Sequence, residues 1–96
     1  MIVQWTATAV RHLTSIHDYI AQDSPIYARR VVDRLTRRSQ QIVLFPLSGR
    51  VVPEHGSESI REIIEPPYRI IYRIHRDRVD VVAVVHGARN LRDLPL

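Results

Sequence analysis

The chain has 96 residues, 14 lysines and arginines together against 10 acidic residues, and a formal net charge of +4. It has no cysteine, which excludes disulfides and cysteine metal sites. No apolar run is long enough to span a membrane, and Met1–Trp5 lacks a signal-peptide pattern, so one cytoplasmic domain over residues 1–96 is the expectation.

Every one of the strongly basic side chains is arginine. Arginine stays charged and grips phosphate or carboxylate through two parallel hydrogen bonds. The net charge therefore favours acidic partners, nucleic acid or an acidic polypeptide.

Ile2–Trp5 is a short apolar run and reads as a strand. Thr6 or Thr8 then caps a helix, its hydroxyl accepting a free amide of the first turn. Ala9, Leu13, Ile16 and Ile20 repeat at helical spacing and form the inward stripe. Ser24-Pro25 starts a second helix, with serine at the cap and proline at the first helical position. That helix is expected to reach Val43 or Leu44, with Ala28, Val31, Val32, Leu35 and Ile42 inward. Arg29, Arg30, Asp33, Arg34, Arg37 and Arg38 mark its outer face. So short a link predicts an antiparallel helical hairpin.

Residues 46–59 contain prolines and glycines and read as loop. Ile60–Glu65 is a strand, stopped by Pro66-Pro67, which cannot donate to a ladder. Tyr68 to His86 writes a β-hairpin around Arg76-Asp77. A regular register places Ile74 opposite Val79, Tyr72 opposite Val81 and Ile70 opposite Ala83, facing the helices. The other face then pairs Arg73 with Asp80, Ile71 with Val82 and Arg69 with Val84. On that reading Arg69 and His86 lie diagonally close on one cationic face. The layout is α+β: β-α-α-β-β-β, an antiparallel sheet with a helical hairpin packed on one face.

In this order the chain carries Leu13-Thr-Ser-Ile-His-Asp-Tyr-Ile, Phe45-Pro-Leu-Ser-Gly-Arg-Val-Val-Pro-Glu, Ile60-Arg-Glu-Ile-Ile, Tyr68-Arg-Ile-Ile-Tyr-Arg-Ile and Val85-His-Gly-Ala-Arg-Asn. Together these segments, covering nearly the whole chain, resemble the RelE/ParE superfamily of toxins from type II toxin–antitoxin systems. The resemblance implies a toxin neutralised by a cognate antitoxin that wraps an extended, helical segment around it. RelE-like members cut mRNA on the ribosome; ParE-like members poison DNA gyrase.

A ribonuclease needs a base for the 2′-hydroxyl, cations for the phosphate and an acid for the leaving oxygen. By resemblance Arg69 matches the arginine of the strand motif Tyr-Arg-x-x-Tyr, and Arg89 falls where the nucleases carry another functional arginine. His86 has the proton affinity for acid or base work. These three are the candidate catalytic residues. The tail Leu91-Arg-Asp-Leu-Pro-Leu lacks a tyrosine or histidine, however. Residues 46–59 hold only Arg50 where the nucleases cradle ribosomal RNA. His86-Gly-Ala-Arg89 resembles the ParE-type ending. The expectation is a ParE-like inhibitor of DNA gyrase; the alternative is a ribosome-dependent mRNA endonuclease with Arg69 and Arg89 on the phosphate and His86 moving protons. No metal or cofactor is expected, since no glycine-rich phosphate loop or metal-ligand cluster is written in the chain.

Overall fold

A computed structural model describes residues 1–92, 94 and 96. The elements are β1 (Ile2–Trp5), α1 (Ala7–Ala21), α2 (Pro25–Gln40), β2 (Arg50–Val51), β3 (Ile60–Glu65), β4 (Tyr68–Ile74) and β5 (Arg78–His86). The five strands join in the order β1-β5-β4-β3-β2, with β1 parallel to β5 and the other neighbours antiparallel. The α1–α2 hairpin packs on one face of this sheet, the α+β layout that the sequence predicts.

Local signals set the helix starts. Thr6 caps α1, its hydroxyl accepting the Ala9 amide at 3.1 Å. Ser24 caps α2 through the Tyr27 amide at 3.1 Å, with Pro25 in the first turn. Ala9, Ala28, Val31, Leu35 and Ile42 are buried, as their spacing implies. Ser39 is buried too, and it is satisfied: it accepts from the Trp5 indole at 3.2 Å and donates to the Thr36 carbonyl at 2.7 Å.

Two boundaries differ from expectation. The α-helix stops at Gln40, and Gln41–Leu44 tightens into a 3₁₀ turn that turns Ile42 into the core. Pro46 is the cause downstream, because it excludes Phe45 from helical backbone, and Phe45 sits at φ −144° and ψ 74°. The expected loop 46–59 also contains β2, an edge strand pairing Arg50 with Glu62 and Val51 with Arg61. Two residues are too few for alternation to announce a strand.

The β4–β5 register is the larger correction. Ile74↔Val79, Arg73↔Asp80 and Tyr72↔Val81 pair as predicted; then a β-bulge intervenes, and Ile71 pairs with Ala83, Ile70 with Val84, Arg69 with Val85 and Tyr68 with His86. One extra residue reverses the face of everything beyond it. Val81 through Val85 are all apolar, so no polar–apolar alternation marks the slip. The run is apolar because both faces are covered. On the helix side Val79, Val81, Val84, Ile70 and Tyr72 join the main core. On the far side Ala83, Val85 and Ile71 pack with Val52, Ile60 and Leu91 in a second, smaller core. The far face is thus not the open cationic sheet that a regular hairpin implies. Arg73 and Asp80 are register partners but their side chains form no ion pair: Arg73 donates to the Leu96 carbonyl, while Asp80 accepts from Arg78 at 3.1 Å and lies 3.0 Å from the His75 ring.

A candidate anion pocket and a saturated arginine

Arg69 leaves β4 on the far face, under the loop after β2 and the start of the C-terminal tail. It is 5% exposed. Its Nε donates to Glu62 Oε2 at 2.6 Å, and one terminal nitrogen reaches Glu54 Oε2 at 3.0 Å and the Arg89 carbonyl at 3.1 Å. The other reaches Glu54 Oε1 at 3.0 Å and Glu62 Oε2 at 2.5 Å. A guanidinium has five N–H donors; four here make hydrogen bonds, and the same group is ion-paired to Glu62 at its remaining corner. Glu62 is itself buried and also pairs with Arg50. Glu54 accepts the Leu91 amide at 3.1 Å. The hydrogen bond from Arg69 holds the Glu54 carboxyl down to about 2, and the two carboxylates raise the proton affinity of Arg69 in return. The cluster ties β4 to β3, to the 52–59 loop and to the tail.

His86 ends β5 on the helix face, where the bulge has placed it. Its ring stands edge-on to Tyr68, centroids 6.3 Å apart at 79°. His86 Nδ1 accepts the Ala88 amide at 3.2 Å, its carbonyl accepts the Arg89 amide at 3.0 Å, and Gly87 donates to the Pro67 carbonyl at 2.7 Å. This turn brings Arg89 to the same mouth as His86. Among the described residues the Arg89 side chain enters no ion pair or hydrogen bond.

Together with α1, these residues line a cavity of about 440 Å³. Ile16 and Val84 supply its aliphatic wall, and Val85, whose side chain turns to the far core, borders it with its backbone; His12, Ser15, Tyr19, Tyr68, His86 and Arg89 supply the polar groups. His12 reaches across from α1 and accepts the Val84 amide on Nδ1 at 3.2 Å. That contact requires a neutral ring with its proton on Nε2. Burial, then the neighbouring charges of Arg89 and Arg11, lower its proton affinity and favour that form. Burial likewise raises the Tyr68 hydroxyl, which stays a protonated donor at neutral pH.

Of the three candidate catalytic residues, the fold brings His86 and Arg89 together and places Arg69 on the opposite face of the sheet, with only the Arg89 main chain in its reach. Glu54 and Glu62, its partners, are absent from the sequence-based site. Glu62 was legible as a neighbour on the next strand; Glu54 was not, because it comes from a loop. His12 is also absent from it. Its position between Ala9, Leu13 and Ile16 on the helical stripe points it inward, which is the signal that identifies it. The outer arginines of α2 are partly engaged: Arg34 and Arg38 lie 3.3 and 3.6 Å from Glu65. Among the described residues no group of three or more His, Cys, Asp or Glu is placed to hold a metal ion, and no helix is long and apolar enough to cross a membrane.

The sequence matches, over residues 3–91, the family described as the ParE toxin of the type II toxin–antitoxin system parDE. It is 36% identical over 88 residues to Toxin RelE2 of Caulobacter vibrioides, covering 91% of this chain and 96% of that one. The fold is similar to a structure of the chromosomal ParDE toxin–antitoxin system of P. aeruginosa, with TM-score 0.75 and 19% identity over 90% of this chain and 95% of the other. It is also similar to the toxin–antitoxin complex RelBE2 of Mycobacterium tuberculosis, with TM-score 0.68 and 22% identity over 92% of each chain. With the order of elements, the strand motif and the sequence match in agreement, this chain belongs to the ParE toxin family of type II toxin–antitoxin systems, within the RelE/ParE superfamily.

Proposed function

We propose that this protein is a binding-type toxin, neutralised by a cognate antitoxin, that acts in the cytoplasm on DNA gyrase and breaks no bond of its own. The observation that carries this reading is the saturation of Arg69. A nuclease of the RelE type would use the matching arginine on the scissile phosphate. Here that guanidinium is buried, is held by four hydrogen bonds and two carboxylates, and faces away from His86, meeting Arg89 only at its main-chain carbonyl. To clamp phosphate it would have to abandon two carboxylates and leave buried Glu62 with only the exposed Arg50 as partner, a loss of about 3–5 kcal/mol for a broken buried pair. The antitoxin is supported by the toxin–antitoxin complexes among the structural neighbours. Exposed Leu44, Phe45, Leu47, Tyr19 and Ile26 add apolar surface of the kind a protein partner covers.

Induction of the toxin alone tests the reading in cells. The expected result is DNA damage and arrested replication, with no new mRNA 5′ ends inside codons. Ribosome-dependent mRNA cleavage at wild-type induction, with replication untouched, would sink it and restore the endonuclease alternative.

A further inference from the structure

The cavity between α1 and the end of β5 has no part in the Arg69 cluster and no role in the reading above. Its wall and its rim differ in chemistry. Ile16 and Val84 form a wall with no side-chain hydrogen-bonding group, while His12, His86 and Arg89 bring cationic or N–H-donating groups, and among the described residues no carboxylate lines the cavity. Arg89 lies near enough to His12 to lower its proton affinity, so the positive potential reaches the inner histidine as well.

We infer that this cavity takes an acidic–apolar segment of a partner polypeptide: a branched or aromatic side chain enters against Ile16 and Val84, and an adjacent carboxylate is held by Arg89 and the histidine N–H groups at the rim. Three observations select this occupant. A nucleobase would bury its polar edge against the aliphatic wall without partners, at the desolvation cost of an unmade hydrogen bond. A strand cannot add at this point of β5, although β1 pairs with β5 only as far as Val81, because His12 already caps the Val84 amide beyond it. A side chain with a neighbouring carboxylate satisfies both the wall and the rim, and an acidic segment complements the net charge of +4. His12 keeps its role throughout: Nδ1 stays on Val84, and Nε2–H is the donor left for the carboxylate. Tyr19, 76% exposed on α1, is free to fold over the entering segment.

The inference rests on the toxin having a protein partner and is independent of what the toxin inhibits. It is tested on the full-length purified chain by NMR, following the ring signals of His12 and His86 during titration with a blocked hexapeptide alternating leucine and glutamate. Saturable shifts of both rings are expected. Replacing glutamate by glutamine, or leucine by alanine, should each weaken binding roughly tenfold, about 1.4 kcal/mol of contact. Arg89→Gln, at an exposed position that leaves the fold intact, should weaken the parent peptide by a similar factor and leave the glutamine peptide unchanged. No saturable shift, equal binding of the glutamine peptide, or tighter binding of adenosine 5′-monophosphate than of the peptide overturns the inference. A toxin that poisons gyrase but ignores the peptide refutes this site alone; one that binds the peptide but spares gyrase refutes the target alone.

Discussion

Arg69 and His86 stand on neighbouring positions of adjacent strands and on opposite faces of the sheet. Arg69 pairs with Val85 and His86 with Tyr68, so in sequence and along the strands they are close. Arg69 reaches Glu62 and Glu54 on the far side, while His86 lines the cavity with α1 on the helix side. The β-bulge after Val81 creates this separation, since the same sequence in regular, unbulged register would put His86 on the face of Arg69. The separation decides how the chain's cations are read. One serves the scaffold, and two are left at a pocket.

The division of labour between arginines is measurable as stability. Arg69→Ala leaves Glu62 buried without its main partner and should cost about 3–5 kcal/mol. Arg89→Ala, at an exposed side chain without a partner among the described residues, should stay within about 0.5 kcal/mol. Urea denaturation of both variants checks the contrast. Equal midpoints would mean that the Arg69 cluster is not what holds the loop and tail to the sheet.

Gly49 should tolerate no side chain. A Cβ there would lie 2.7 Å from the Glu62 carbonyl oxygen and collide with the Tyr72 hydroxyl. Tyr72 cannot retreat, because its ring is buried and its hydroxyl donates to the Pro46 carbonyl at 2.6 Å while accepting the Gly49 amide at 3.1 Å. Gly49→Ala should destabilise by about 1–3 kcal/mol through overpacking. Tyr72→Phe should cost about the same by stranding two backbone groups. Thermal melts of the two variants read both effects, and a melting temperature unchanged by either would contradict this packing.

The bulge makes an asymmetric prediction for single-residue deletions. Removing Val82 takes out the extra residue and lets Ala83 follow Val81 in regular register, so every later side chain keeps its face and the Tyr68–His86 contact survives. Removing Val84 also absorbs the bulge, but Val82 and Ala83 then take the places of Ala83 and Val84, which overfills the far core and leaves an alanine at a main-core position. The Val82 deletion should therefore keep the wild-type backbone amide spectrum, and the Val84 deletion should melt at a lower temperature than the Val82 deletion. The reverse outcome would refute the register.

Two groups tie stability to pH. Glu54 has its folded proton affinity lowered from 4.5 to about 2, chiefly by the hydrogen bond from Arg69. Its contribution is present above pH 4.5 and is lost as pH falls from there towards 2, because the unfolded chain takes up the proton first. His12 is lowered from 6.5 by burial and nearby arginines, so its contribution is present above pH 6.5 and is lost as pH drops below that value. Denaturation midpoints should thus fall in two stages on acidification. Glu54→Gln should remove the lower stage, and a single transition unaffected by that change would count against the cluster.

The sequence was most informative where patterning was one-sided. The α1 and α2 stripes, both serine and threonine caps and the first three pairs of the hairpin follow from spacing and from residue chemistry alone. The register beyond Tyr72 was not legible, because a strand covered on both faces carries no alternation, and one extra apolar residue in Val81–Val85 leaves no mark. The same hidden slip explains why Arg69, His86 and Arg89 looked like one cluster. Glu62, on β3, is a legible neighbour of Arg69, but Glu54 comes from a loop whose path no local signal records, and the cavity arises only when α1 crosses the end of β5.

Gyrase itself gives the most direct measurement. Purified toxin is incubated with gyrase, ATP and relaxed plasmid, and the DNA is analysed after detergent and protease treatment. A binding-type toxin is predicted to inhibit supercoiling and to leave plasmid cut and covalently held by gyrase, with no cleavage when gyrase is omitted. Supercoiling at the full rate, with no trapped cleavage complex at toxin in excess over gyrase, would contradict the account.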